Sequence, residues 1–164
     1  MNKAVFLDRD GIINVEIGDY IKRFEDFTLT PQLGEGLKIL QDMGYLLIII
    51  TNQGGLAKNL YTVQDLERMH EFLKQEMQKF NVSFTEIYYC PHHPDYNGKC
   101  LCRKPDSQML EKAMAKFNID PAQSYFIGDK QRDVDAGEKV GVKGVLVQAN
   151  RNFEELVQEV LDAK

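Results

Sequence analysis

The sequence predicts an α/β fold, a doubly wound parallel sheet with helices on both faces. Three observations carry that reading. Short apolar, branched runs recur along the chain, segments of helical spacing separate them, and polar residues follow directly after several of the runs. Parallel neighbours need crossover connections, and the usual crossover is a helix, so this alternation favours a parallel sheet.

Strands are expected at residues 4–7, 45–50, 87–89, 125–127 and 142–147, each apolar enough to be buried. Between the first two, Pro31 at a first-turn position precedes Leu33, Leu37 and Leu40, which share one helical face. Between the second and third, Thr62 is placed to cap a helix striped by Leu66, Met69, Leu73, Met77 and Phe80. A third helix is expected over residues 106–117. These stripes are what a packed core requires and say nothing more. The segment 90–103 is rich in His, Pro, Asp, Asn and Gly and is too irregular for helix or strand.

The 164 residues fit one domain, 1–164. Apolar residues at 43% and charged ones at 27% match a globular protein with an ample core and exclude a disordered chain. A net charge of −5 argues against a nucleic-acid partner, which needs a basic face to displace counterions. A small anionic substrate stays open, because only the field at the site matters to it. No apolar run approaches the roughly 20 residues of a membrane-spanning helix. The N-terminus leads into a strand without a signal-peptide pattern. The expectation is a cytoplasmic monomer with no membrane partner.

In open parallel sheets ligands bind beyond the carboxyl ends of the strands. Three runs end in polar groups: Asp8, Arg9, Asp10 and Gly11 after the first, Thr51, Asn52 and Gln53 after the second, Gly128, Asp129 and Lys130 after the fourth. Asp8 and Asp10 lie two residues apart at a strand end, where the extended period aims both to one side. Asp is common in turns, which explains any one of these residues but not the convergence of three. Asp8, Asp10 and Asp129 together would form a site of hard oxygen ligands suited to magnesium. Lys104 could offset that charge and hold a phosphoryl oxygen, unless it is an ordinary surface lysine. Thr51 could donate its hydroxyl to the same phosphate, with Asn52, Gly54 and Gly55 letting the backbone approach.

All three cysteines fall between positions 90 and 102, an odd count that does not suit a disulfide framework. Cys90-x-His92 and Cys100-x-Cys102 supply three thiolates and an imidazole, a closed tetrahedral set for structural zinc. The alternative, reduced cysteines packed as small hydrophobes, fits poorly in so polar a loop.

Residues 6–14, Phe-Leu-Asp-Arg-Asp-Gly-Ile-Ile-Asn, resemble the first motif of the haloacid dehalogenase (HAD) superfamily of phosphatases. Thr51 resembles its second motif, Lys104 its third, and the run from Gly128 to Asp133 its acidic fourth. Asp-Arg-Asp-Gly, Thr-Asn-Gln, Cys-Pro-His, Cys-x-Cys-Arg-Lys-Pro and Gly-Asp-Lys narrow the resemblance to the branch holding D-glycero-D-manno-heptose 1,7-bisphosphate phosphatases and histidinol-phosphate phosphatases. Residues 13–15, 18–20 and 88–94 are more similar to the heptose enzymes.

The resemblance implies a capless, three-layer Rossmann-type fold. It implies a magnesium-dependent phosphatase acting on a small phosphorylated metabolite. Asp8 is then the nucleophile, forming an aspartyl-phosphate, and Asp10 the acid/base partner. Magnesium is held by Asp8, Asp129 and the backbone carbonyl of Asp10, with Asp133 in support. Thr51 and Lys104 steady the phosphoryl oxygens. Asn52, Gln53, Gly54, Arg103 and Lys130 meet the substrate, a bidentate Arg103 favouring a second phosphate. His92 rather than His93 matches the zinc ligand. Histidinol phosphate is the alternative substrate. The alternative of another class is a phospho-receiver domain, which combines similar acids with a Thr and a Lys but carries neither Asp-x-Asp-Gly nor a zinc loop.

Overall fold

The computed structural model describes residues 1–163. Five strands form one parallel sheet: β1 (Lys3–Leu7), β2 (Tyr45–Asn52), β3 (Glu86–Cys90), β4 (Tyr125–Gly128) and β5 (Lys143–Leu146). Their order across the sheet is β3-β2-β1-β4-β5. The chain therefore winds outward in one direction from β1 and then in the other, which opens a crevice at the carboxyl end of β1. Leu7 pairs with Ile49 on one side and Ile127 on the other. Asp8, Thr51 and Asp129 accordingly emerge at the same end of the sheet.

Alternation along β1 divides the core into two. Val5 and Leu7 face a cluster built by α1 (Leu33–Asp42), α2 (Val63–Gln78) and a C-terminal helix, Phe153–Asp162. Ala4 and Phe6 face the other cluster, which receives α4 (Gln108–Phe117) and α5 (Gln131–Glu138). A four-residue α3 (Pro94–Asn97) lies in the cysteine loop, and the C-terminal helix is α6. This is the expected doubly wound, three-layer arrangement. The connections from β1 to α1 and from β3 to α4 hold only a short 3-10 turn, Phe24–Asp26, and α3, so among the described residues no cap domain is inserted at either place.

Several expectations need correction. β3 and β5 are the sheet's two edges and are only partly buried, Leu146 being 54% exposed, because each lacks a neighbour on one side. Pro31 is not in the first turn of α1. Gln32 turns into the left-handed region first (φ 55°), and the Pro31 carbonyl accepts from the Phe153 N–H at 2.8 Å. Phe80 lies beyond the end of α2, its ring filling the space over Gly34. The helix expected from position 106 begins at Gln108, and α5 and α6 are additional. The capping box of α2 forms, with Thr62 Oγ1 accepting from the Asp65 N–H and Asp65 accepting from that of Thr62. Among the described residues no helix is long and apolar enough to cross a membrane.

Candidate active site

After β1 the chain folds into a tight turn in which the Arg9 carbonyl accepts from the N–H groups of Ile12, Ile13 and Asn14. Gly11 allows this with φ 95°, and a Cβ there would lie 2.5 Å from an Asp129 oxygen. The turn thus needs glycine for its backbone and for the approach of the fourth strand's acid.

Asp8 is 5% exposed and accepts from Lys104 Nζ at 2.9 Å. Lys104, itself 1% exposed, also donates to Asp133 at 2.7 Å and to the Ile50 carbonyl at 2.8 Å. Burial pulls the Lys104 pKa down, but Asp8 and Asp133 outweigh it and keep the ammonium charged. All three of its N–H groups are committed. Lys104 is thus foremost the counter-charge of the acid cluster, and a phosphoryl oxygen could engage it only by displacing one of these bonds. Asn52 pins the lysine's backbone from both sides, accepting from its N–H (2.9 Å) and donating to its carbonyl (3.2 Å).

Burial pushes the Asp8 carboxyl up to about 8, with Lys104 opposing and Asp133 and Asp10 reinforcing. Such a group needs a further cation to act as an anion at neutral pH. Carboxylate oxygens of Asp8, Asp129 and Asp133 lie within 4.8 Å of one another. Both oxygens of Asp129 are buried without a hydrogen-bond partner, and its nearest cation, Lys130 Nζ, is 4.0 Å away. Orphaned buried oxygens beside a second carboxylate fit a hard divalent cation such as magnesium. Asp133 is already spent on Lys104 and on the Lys130 N–H at the start of α5. Gly128 makes room for it, since a Cβ there would sit 2.3 Å from Asp133.

The Asp10 carboxylate is absent from this cluster. Its Oδ1 accepts from Arg9 Nε (3.1 Å), Arg9 Nη2 (2.8 Å) and Asn14 Nδ2 (2.9 Å), and its Oδ2 from Gln53 Nε2 (3.3 Å). Burial raises its pKa, but Arg9 and these hydrogen bonds overcome that and hold it below the usual carboxylate range. Arg9 is fully buried and also donates toward His70 Nε2 at 3.3 Å. Burial, then the Arg9 charge, lowers His70 to about 3, so the ring is a neutral acceptor.

Gln53, expected at the substrate, lies behind the site at 2% exposure, bonded to Asp10, Thr51 and Tyr61. Thr51 is equally buried, its Oγ1 accepting from Gln53 at 3.0 Å. The cleft above has a volume of 310 Å³. Asp8, Asp10 and Asp129 contribute acids to it, and Arg103, Lys130 and Arg132 bring positive charge to the same cleft, with Asn52 and Gly54 between. Sequence reasoning missed Arg9, His70, Tyr61 and Arg132. Only Arg9, placed between two motif aspartates, offered a signal.

Beside the cleft, Cys90, His92, Cys100 and Cys102 converge within 4.8 Å. Cys100 Sγ is 3.8 Å from both other sulfurs, the edge of a tetrahedron with zinc–sulfur bonds of about 2.3 Å. Cys90 and Cys102 are closer, at 2.6 Å, and must part to admit an ion. His93 is not in the set; its Nδ1 accepts from the Asp95 N–H as the cap of α3. Arg103 donates to the His92 carbonyl at 3.3 Å, tying the loop to the cleft.

A sheet of this order, with Asp8 after β1 and Asp133 in α5 gathered on one buried lysine and Asp129 after β4 beside them, defines a HAD-like hydrolase. Residues 101–162 match a family model described as HAD-hydrolase-like. The D-glycero-beta-D-manno-heptose-1,7-bisphosphate 7-phosphatase of Haemophilus ducreyi is 44% identical over 155 residues, covering 91% of this chain and 85% of the relative. A D-glycero-alpha-D-manno-heptose-1,7-bisphosphate 7-phosphatase of Photorhabdus laumondii is 39% identical over 85% of this chain and 79% of its own. The crystal structure of D,D-heptose 1,7-bisphosphate phosphatase from B. bronchiseptica, complexed with magnesium and phosphate, superposes with a TM-score of 0.89 over 99% of both chains. At 24% identity that likeness is one of fold. The chain belongs to the heptose-1,7-bisphosphate 7-phosphatase family and is a phosphoric monoester hydrolase.

Proposed function

We propose that this chain removes the 7-phosphate of D-glycero-D-manno-heptose 1,7-bisphosphate through an aspartyl-phosphate on Asp8. The observation that carries the reading is the make-up of the cleft: the acids at the carboxyl ends of β1 and β4 share it with three cations, Arg103, Lys130 and Arg132. A bisphosphate can place one phosphate over Asp8 and offer the other to those cations. The names of the curated relatives point the same way.

Asp8 attacks phosphorus in line while Asp10 gives a proton to the leaving sugar oxygen. Arg9 favours the Asp10 anion, which suits the second step, in which Asp10 takes a proton from the attacking water. The approaching phosphate's negative charge shifts Asp10 toward the protonated form that the first step requires. Thr51 and Lys104 steady the phosphoryl oxygens, while Asn52, Gly54, Arg103 and Lys130 line the substrate's path. Magnesium, with Asp8, Asp129 and the Asp10 backbone carbonyl as its holders, supplies charge neutralisation at the transferring group. The four-residue Cys/His set suits structural zinc, and the reading carries with it a cytoplasmic monomer.

Histidinol phosphate is the second reading, favoured by Glu16 and Asp19, which also line the cleft and could meet an ammonium group. Phosphate release with magnesium from both heptose 1,7-bisphosphate anomers and from histidinol phosphate decides between them. A higher kcat/KM for either heptose anomer is expected, and a preference for histidinol phosphate overturns the assignment.

A further inference from the structure

Two groups that the proposed chemistry uses, Asp10 and Thr51, share a buried neighbour that does not line the cleft. Gln53 Nε2 donates to Asp10 Oδ2 at 3.3 Å and to Thr51 Oγ1 at 3.0 Å, while Gln53 Oε1 accepts from the Tyr61 hydroxyl at 2.5 Å. A glutamine amide has a donor end and an acceptor end of nearly equal shape, so its partners decide which way it faces. Here the nitrogen end faces the two acceptors, Asp10 and Thr51, and the oxygen end faces the Tyr61 hydroxyl. The hydrogen that the amide oxygen accepts comes from Tyr61. Without it that buried oxygen loses its donor, and the amide loses the contact that favours its present orientation.

A turned amide would damage both groups at once. Its oxygen would face Thr51 and take the hydroxyl hydrogen that the phosphoryl oxygen needs, and it would set an oxygen against Asp10 Oδ2 in place of the present N–H. We infer that Tyr61 is a positioning residue that fixes the Gln53 amide, so that a single side chain keeps the acid/base carboxyl and the phosphate-binding threonine in register.

Four further observations agree. Tyr61 is 5% exposed and is not part of the cleft lining, so its hydroxyl serves the interior. A Cβ at Gly55 would lie 2.3 Å from the Tyr61 ring, which makes that glycine the seat of the tyrosine rather than a point of phosphate approach. The next residue, Thr62, starts α2 through its capping box, which anchors the backbone beside Tyr61. Burial also pushes the phenol pKa up, so the hydroxyl keeps its proton for donation.

The inference rests on the roles proposed for Asp10 and Thr51, and its test separates the two. Kinetics are measured for wild type, Tyr61→Phe, Gln53→Leu and the double variant, on whichever phosphate ester above the wild type hydrolyses, with thermal unfolding followed in parallel. Tyr61→Phe is expected to lower kcat on the order of tenfold and KM much less. In the Gln53→Leu background the same change is expected to cost nothing more, because its effect passes through the amide. Gly55→Ala, which crowds the ring but keeps the hydroxyl, is expected to give a smaller loss of the same kind and serves if Tyr61→Phe does not fold. An undiminished Tyr61→Phe effect without Gln53, or folded single variants within about twofold of wild type, overturns the inference and leaves the phosphatase reading standing. A wild type that releases no phosphate from any of the esters overturns that reading instead.

Discussion

Arg9 grips one oxygen of Asp10 with two N–H groups, Nε at 3.1 Å and Nη2 at 2.8 Å, from a position with no solvent exposure. The pair sits side by side in the sequence, yet it separates the Asp10 carboxylate from the carboxylates around Asp129. Two acids two residues apart thereby acquire opposite characters. Asp8 is raised by burial, and Asp10 is lowered because Arg9 and the hydrogen bonds from Asn14 and Gln53 together outweigh burial.

Removing the arginine strands a charge. Arg9→Met is expected to destabilise the protein by about 3–5 kcal/mol at neutral pH, since one partner of a buried ion pair is left uncompensated. The sign with pH follows from the lowered Asp10 pKa. Its stabilising contribution is present above the unfolded value near 3.8 and is lost as pH falls through the folded value. The gap in urea midpoint between wild type and Arg9→Met, measured from pH 7 to pH 3, should therefore narrow toward acid. A constant gap counts against the pair.

The raised Asp8 gives a metal prediction of opposite sign. In the metal-free protein the folded carboxyl holds its proton to about pH 8, whereas the unfolded one ionises near 3.8. Stability is therefore lost as pH rises across that window. A cation at Asp8 competes with the proton, so magnesium should raise the unfolding temperature more at pH 8 than at pH 6. Its binding at pH 7 should also release a proton, seen as a dependence of binding heat on buffer ionisation enthalpy. A magnesium shift independent of pH would remove Asp8 from the metal site.

The cysteine loop is expected to act at a distance. Cys100→Ser should abolish zinc binding, measured by metal analysis, and lower kcat/KM by about tenfold or more through loss of order at Arg103, which hangs from the His92 carbonyl. Unchanged zinc content with unchanged kinetics would reduce the loop to a surface ornament.

What was legible in the sequence were features written in local spacing. The apolar runs of β1, β2 and β4 are central and buried, so composition alone marked them, and the motif aspartates and the Cys-x-Cys spacing marked where acids and sulfurs gather. The edge strands β3 and β5 were legible in place but not in burial, since nothing local says which strands lack neighbours. Helix α6 does carry helical spacing in Phe153, Leu156, Val157 and Val160, while α5 hides a short apolar face, Val134 and Ala136, among charged residues. His70 and Tyr61 were illegible because their roles come from buried contacts: His70 reaches Arg9, 61 positions away, and Tyr61 acts only through Gln53. Gln53 was read as a substrate contact for the same reason, its position beside Thr51 being visible and its burial not.

Asp129 offers the sharpest separation of stability from function. Its two oxygens are buried with no hydrogen-bond partner, and a buried polar group left unmatched costs about 1–3 kcal/mol, more when it is charged. Asn at this position keeps the shape and removes the charge. Asp129→Asn is thus expected to stabilise the metal-free protein by about 1 kcal/mol, only part of that cost because the amide remains polar. The same change should eliminate the stabilisation by magnesium and reduce turnover by orders of magnitude, because a ligand of the cation is lost. Chemical denaturation with and without magnesium, alongside phosphate release, tests both halves. A variant less stable than wild type without metal would mean that Asp129 is satisfied by something other than a cation.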